Sequence, residues 1–207
     1  MPAKHYVYIV DDDEAVRRSL SELLESEGYT AASYGSGSEF LAVAPTLSAG
    51  CLIVDIRMPG MDGLELRERL TAVGLDFPMI VITGHGDVPL AVRAMKAGAV
   101  DFIEKPFAVT AILDSLEAAF ARLDPSAQSG AAAAAAAVKL TLLSPREREV
   151  LEGLLAGLPN KSIAYNLAIS PRTVEIHRAR VMDKMGARSL SELIRLALAA
   201  GMRPTSR

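Results

Sequence analysis

Within the first 123 residues, five short apolar runs alternate with amphipathic stretches, and this alternation restricts the fold more than any other feature of the sequence. Residues 6–10, 51–54 and 79–83 read as buried strands, with weaker strands at 30–34 and 101–104. Helical periodicity fills the gaps, over 14–27, 37–44, 63–73, 88–97 and 110–123. Five successive β-α units predict an α/β domain, a five-stranded doubly wound parallel sheet with right-handed crossovers and helices on both faces. Ligands of such sheets bind beyond the carboxyl ends of the strands.

Those strand ends carry the chemistry. The first runs into Asp11-Asp12-Asp13, the third ends at Asp55, the fourth at Thr83 and the fifth at Lys105-Pro106. Carboxylates gathered on one edge repel one another. A hard divalent cation with oxygen ligands compensates them, and Mg²⁺ suits a small carboxylate cluster that keeps waters. A lysine and a hydroxyl at the same edge can hold the oxygens of a phosphoryl group. One carboxylate can then act as a nucleophile and form an aspartyl phosphate. Taken alone, Asp11 to Asp13 could equally cap the helix that follows. Asp55, Thr83 and Lys105 at matching strand ends turn the balance toward a site.

The charge is distributed unevenly. The chain of 207 residues has a net charge of −3, which suggests no nucleic-acid partner. Residues 1–123, however, carry 10 Lys and Arg against 18 Asp and Glu, net −8, and residues 138–207 carry 12 against 6, net +6. Asp124 supplies the remaining −1. An acidic first part is thus joined to a basic second part suited to a polyanion. Between them lie Pro125, Ser129-Gly130 and seven alanines, Ala131 to Ala137. The tract has helix propensity but nothing to bury, so it is expected to be a tether, the alternative being an ordinary helix of the second part. The division is 1–123, an Ala-rich linker at 124–139, and 140–207. A single cysteine, Cys51, no apolar run near the roughly 20 residues of a membrane span, and an N-terminus that turns acidic by Asp11 all suggest a cytoplasmic protein.

In the second part, Ser144-Pro145-Arg146-Glu147 is a capping box that opens a helix to about Ala156, stopped by Gly157. A short helix at 160–167, the turn Ala168-Ile169-Ser170, and a longer helix from Pro171 to Met185 closed by Gly186 follow. Ser189 to Glu192 form a second capping box, opening a fourth helix. A short helix, tight turn and longer basic helix are the sequence form of a helix-turn-helix, here in an all-α four-helix unit. Helical phase turns Val174, Val181 and Met185 to the core, with His177 at the packed edge as a structural hydrogen-bonder. The opposite face, with the flanking positions, makes Lys161, Arg172, Thr173, Glu175, Ile176, Ala179, Arg180 and Lys184 the candidate DNA contacts.

At these motifs the chain resembles known families. Val10 to Asp13, Asp55-Ile56-Arg57-Met58-Pro59-Gly60-Met61-Asp62-Gly63, Thr83-Gly84-His85 and Lys105-Pro106-Phe107 resemble the flavodoxin-like receiver domain of two-component response regulators. The resemblance implies that Asp55 accepts a phosphoryl group. It further implies that Asp11, Asp12 and Asp55 bind Mg²⁺ with the Arg57 carbonyl, and that Thr83 and Lys105 hold the phosphoryl oxygens. Asp13 is then the helix cap, Lys105–Pro106 is cis, Arg57 and His85 tune the lifetime of the phosphorylated state, and Phe102 is the switch aromatic. Leu143 to Leu151, Gly157 to Ala164 and Ile169 to Arg178 resemble the LuxR-type helix-turn-helix, and the whole is similar to the FixJ subfamily. Glu175 departs from the broad LuxR pattern, in which lysine is frequent, so an operator sequence does not carry over.

The implied function is a phosphorylation-dependent transcriptional regulator, an activator. Its expected partners are a sensor histidine kinase, promoter DNA and RNA polymerase, and it is expected to be a homodimer when phosphorylated. Any enzymatic activity would be confined to Mg-dependent self-phosphorylation and self-dephosphorylation at Asp55. Two rival readings are a degenerate receiver acting only as a binding module, and a phosphatase with an aspartyl nucleophile. The latter usually places a second acid two residues after the nucleophile, where this chain has Arg57.

Overall fold

The computed structural model describes residues 5–84, 87–123 and 130–203. The chain divides into two compact units, 1–85 with 97–128 and 86–96 with 129–207. In the first, β1 (Tyr6–Val10), β2 (Thr30–Tyr34), β3 (Gly50–Asp55), β4 (Met79–Thr83) and β5 (Asp101–Glu104) form one sheet in the order β2-β1-β3-β4-β5. Every pairing is parallel. The helices of this unit are α1 (Glu14–Ser26), α2 (Gly37–Val43), α3 (Gly63–Ala72) and α5 (Val109–Leu123). The α/β expectation holds, with element ends within a residue or two of the periodicity.

The reason is visible in β3, where all six residues are buried, as a strand covered on both faces demands. Its side chains join those of β1 and β4 with Leu20 and Leu24 of α1 and Ile112 and Leu116 of α5 in one apolar core. Asp13 caps α1, its carboxylate accepting from the Ala15 and Val16 amides, while Asp62 caps α3 through the Glu65 amide. Both caps start helices directly after the sheet edge that carries the acidic residues.

The second unit contains α4 (Val88–Lys96), α6 (Gly130–Thr141), α7 (Pro145–Leu155), α8 (Asn160–Leu167), α9 (Pro171–Met185) and α10 (Leu190–Ala199). Grouping by contacts therefore differs from the sequence division over one helix, α4. Val150, Leu154, Val174, Val181, Met185 and Leu193 are fully buried in this unit. The Ser144–Glu147 capping box is complete in both directions. The αL residues Ala168 and Gly186 close α8 and α9. The alanine tract, expected to bury nothing, is the helix α6 from Gly130 on. Ala136 and Leu140, one turn apart, are buried, and Lys139 Nζ donates to the Met185 carbonyl at 2.9 Å. Residues 124–129 of the expected linker lie outside the described residues.

Candidate functional site

β1 and β3 lie side by side with Val10 opposite Val54, so Asp11 and Asp55 leave adjacent strands at the same level. Asp11 is wholly buried, Asp55 nearly so, and Asp12 is exposed. One carboxylate oxygen from each of Asp11, Asp12 and Asp55 lies within 4.8 Å of the others. Lys105 Nζ enters from the end of β5, 2.7 Å from Asp11 Oδ2 and 2.9 Å from Asp55 Oδ2. Main-chain amides fix the remaining oxygens, Asp13 N–H donating to Asp11 Oδ1 at 2.9 Å and Arg57 N–H to Asp55 Oδ1 at 3.1 Å. Thr83 is buried at the end of β4, and its carbonyl accepts from the Lys105 amide at 2.8 Å, which fixes where the lysine departs. Lys105–Pro106 is cis. Gly63 is required by close approach, since a Cβ there would stand 2.7 Å from the Asp55 carbonyl oxygen.

Electrostatics follow from this packing. Burial raises the Asp11 carboxyl above the ordinary carboxylate range, although the Lys105 hydrogen bond opposes it. For Lys105, burial works against the charge, but hydrogen bonds to Asp11 and Asp55 together outweigh it and raise the ammonium. Three oxygens of a hard donor type, one of them reaching solvent through Asp12, fit a small divalent cation that keeps water ligands. The sheet edge thus holds Asp11, Asp12, Asp55, Thr83 and Lys105 where the sequence placed them. Arg57 is exposed and Phe102 is half-buried on β5, outside the apolar core. His85 lies outside the described residues.

At the acidic site one residue is not singled out by the sequence. Arg17 of α1 reaches back so that Nη1 donates to the carbonyls of Asp11 at 2.7 Å and Asp12 at 3.0 Å. Its only sequence signal is a basic residue one turn past the helix cap.

In the second unit, α8 and α9 form the helix-turn-helix, joined by Ala168 to Ser170. Lys161, Arg172, Glu175, Ile176, Ala179 and Arg180 are exposed, with Ile176 47% accessible although aliphatic. Thr173 is less open, its hydroxyl bonded to Ser170 Oγ at 2.8 Å within the cap of α9. Lys184, a further candidate DNA contact, is exposed and also makes bonds within the unit. Its Nζ lies 2.6 Å from Glu147 Oε2 and 3.1 Å from the Leu142 carbonyl. Glu147 is buried and its carboxyl is lowered to about 2 by the Lys184 hydrogen bond and, next, by the Ser144 amide. Tyr165 of α8, 88% accessible, was not singled out in the sequence.

Residues 7–117 match the response regulator receiver domain, and residues 141–197 match the bacterial regulatory proteins of the luxR family. Fold and site therefore define a response regulator, a receiver coupled to a DNA-binding helix-turn-helix. The chain is 52% identical over 202 residues to the transcriptional regulatory protein FixJ of Bradyrhizobium diazoefficiens, covering 98% of each. It is 53% identical over 199 residues to FixJ of Rhizobium meliloti, covering 96% of this chain and 98% of that protein. Full-length FixJ from B. japonicum, solved as a crystal structure, is 52% identical with a TM-score of 0.58, over 97% of this chain and 98% of that one. The chain belongs to the FixJ family and is a phosphorylation-dependent transcriptional regulator of a two-component system. The family implies a kinase and DNA as partners, and it is not a family of enzymes in the usual sense. Among the described residues, no helix is long and apolar enough to cross a membrane.

Proposed function

We propose that Asp55 is the phosphoacceptor. A sensor histidine kinase presents a phosphohistidine, an Asp55 carboxylate oxygen attacks phosphorus, the P–N bond breaks, and the imidazole nitrogen recovers its electron pair. The observation that carries this reading is the bridge of Lys105 between Asp11 and Asp55 at the sheet edge. It places a cation where the oxygens of an incoming phosphoryl group need one, with the Thr83 hydroxyl as a second donor. Asp11, Asp12 and Asp55, with the Arg57 carbonyl, hold Mg²⁺, which when bound offsets the negative charge of both cluster and phosphoryl group. Arg57 and His85 set the lifetime of the acyl phosphate, and Asp55 supports self-phosphorylation from small donors and self-dephosphorylation.

Phosphorylation repositions Thr83 and Phe102 and yields a homodimer, which activates transcription together with RNA polymerase in the cytoplasm. The receiver is carried by 1–123 and the DNA reader by 140–207, and of the linker at 124–139 the part from Gly130 on is the helix α6 that packs within the second unit. Lys161, Arg172, Thr173, Arg180 and Lys184 meet phosphate or guanine, while Glu175, Ile176 and Ala179 approach base edges. Glu175 on such a face repels phosphate, so its productive partner is a cytosine amino group.

Treating wild type and Asp55→Asn with a small phosphodonor and Mg²⁺, then reading mass, oligomeric state and DNA affinity, tests the proposal. Wild type gains one phosphoryl group, dimerises and binds DNA more tightly, and the variant does none of these. No mass gain in wild type overturns the phosphoacceptor assignment, and a gain shared by both proteins overturns Asp55.

A further inference from the structure

Each carboxylate of the acidic cluster is held differently. Asp55 stands on the end of a fully buried strand, and Asp11 is buried and fixed at both oxygens, by Lys105 and by the Asp13 amide. Asp12 is exposed, so its place in the cluster depends on the main chain that carries it. That main chain is the turn between β1 and α1, and Arg17 grips it. A single guanidinium nitrogen takes the Asp11 carbonyl at 2.7 Å and the Asp12 carbonyl at 3.0 Å. Two successive carbonyls converging on one donor fix the two peptide planes that flank Asp12. With both carbonyls turned to α1, the carboxylates of Asp11 and Asp12 come within 4.8 Å of that of Asp55.

Charge adds to geometry. Arg17 brings a permanent cation to the turn, but its hydrogen bonds go to main-chain oxygens and leave the carboxylates to other ligands. Lys105 does the opposite and occupies carboxylate oxygens itself. The two cations divide the work. One pairs with the acidic oxygens, the other shapes the turn without competing for them.

We propose that Arg17 is a positioning residue for divalent-cation binding, setting the β1–α1 turn so that Asp12 joins Asp11 and Asp55. The proposal rests on the metal-site reading above. Groups that orient the ligands of a metal typically change affinity by about 10–100-fold when removed. The test is Mg²⁺ titration by calorimetry of the full chain as wild type, Arg17→Ala and Arg17→Lys, with thermal unfolding of each in the absence of metal. Arg17→Ala should weaken Mg²⁺ binding by about tenfold or more. Arg17→Lys should recover part of this, since an ammonium keeps the charge and can reach one of the carbonyls. A purely structural role would lower the metal-free unfolding midpoint and leave the Mg²⁺ dissociation constant of the folded protein unchanged. Affinity within twofold of wild type in Arg17→Ala overturns the proposal. Should that variant not fold, wild-type affinity in Arg17→Met, which keeps the length of the chain and removes the donor, overturns it equally. Absence of Mg²⁺ binding in wild type would remove the metal site and this role together, whereas wild-type binding matched by the variants would remove only the role of Arg17.

Discussion

Each unit of the molecule contains a buried carboxylate bonded to a lysine, at nearly the same distance, and the two behave oppositely. Lys105 lies 2.7 Å from Asp11, and Lys184 lies 2.6 Å from Glu147. Yet the Asp11 carboxyl is raised and the Glu147 carboxyl is lowered to about 2. Burial comes first, disfavouring the Asp11 charge by more than the Lys105 hydrogen bond offsets, and the count of charges adds to the contrast. Lys105 is shared between Asp11 and Asp55, with Asp12 beside them, so one cation serves a cluster of three acids. Glu147 has Lys184 to itself and also accepts from the Ser144 amide at 2.8 Å, while Lys184 satisfies the Leu142 carbonyl. The length of an ion pair therefore says little about its role. A carboxylate with a lysine to itself is satisfied, whereas an acidic cluster that shares one lysine is left short of positive charge.

Removing Lys105 breaks the comparison most sharply. In Lys105→Met the carboxylates of Asp11 and Asp55 lose their shared partner, and the first unit should lose about 2–3 kcal/mol of metal-free stability, below the full cost of a completely buried pair because Asp12 and part of the lysine reach solvent. Mg²⁺ should restore a larger share of stability in the variant than it adds to wild type. Thermal unfolding with and without Mg²⁺ reads both effects, and an unchanged metal-free midpoint would show that the cluster is not short of positive charge.

Glu147→Gln sharpens the other side. Glutamine can still accept from the Ser144 amide, so the substitution isolates the charge, and about 1 kcal/mol should be lost at neutral pH for a pair near the surface. The sign with pH follows from a carboxyl that is depressed in the folded state. Its stabilising contribution is present above the ordinary value of 4.5 and is lost as pH falls through about 2. Unfolding followed by circular dichroism should show wild type and Glu147→Gln converging between about pH 4.5 and 2. A constant gap across that range would place the effect elsewhere.

What the sequence could disclose divides along the same line. The strand ends were legible because period-two runs and period-3.6 stretches fix where a parallel sheet stops, and that put Asp11, Asp55, Thr83 and Lys105 on one edge. The Ser144 capping box was legible because it is local. The second one was only half right: Ser189 Oγ accepts from the Glu192 amide, but Glu192 Oε2 takes the Arg188 amide at 2.8 Å instead of that of Ser189. The bond of Lys184 to Glu147 was hidden because helical phase gives the direction of a Cβ and not the reach of a four-carbon chain to a residue 37 positions away. Arg17 was invisible for a related reason, since its partners are main-chain carbonyls whose orientation no residue pattern encodes. The alanine tract hid its packing because alanine contributes little apolar area, leaving Ala136, Leu140 and the Lys139–Met185 bond to anchor it.

Asp11→Asn carries the smallest expected change and tests the contrast at its root. A carboxyl raised in the folded state is one whose ionised form folding disfavours. Its charge costs stability above the ordinary carboxylate range, and that cost is relieved as pH falls through the raised value. Asparagine removes the charge and keeps an oxygen for the Asp13 amide, and Lys105 retains Asp55. Metal-free Asp11→Asn should therefore be as stable as wild type at neutral pH or more so, by about 0.5–1 kcal/mol, while its stabilisation by Mg²⁺ is lost. A site residue whose removal stabilises the fold and abolishes ligand response is held for use and not for packing. If Asp11→Asn instead lowers the metal-free unfolding midpoint, the Lys105–Asp11 pair outweighs the burial of the charge, and the two lysine–carboxylate pairs are alike after all.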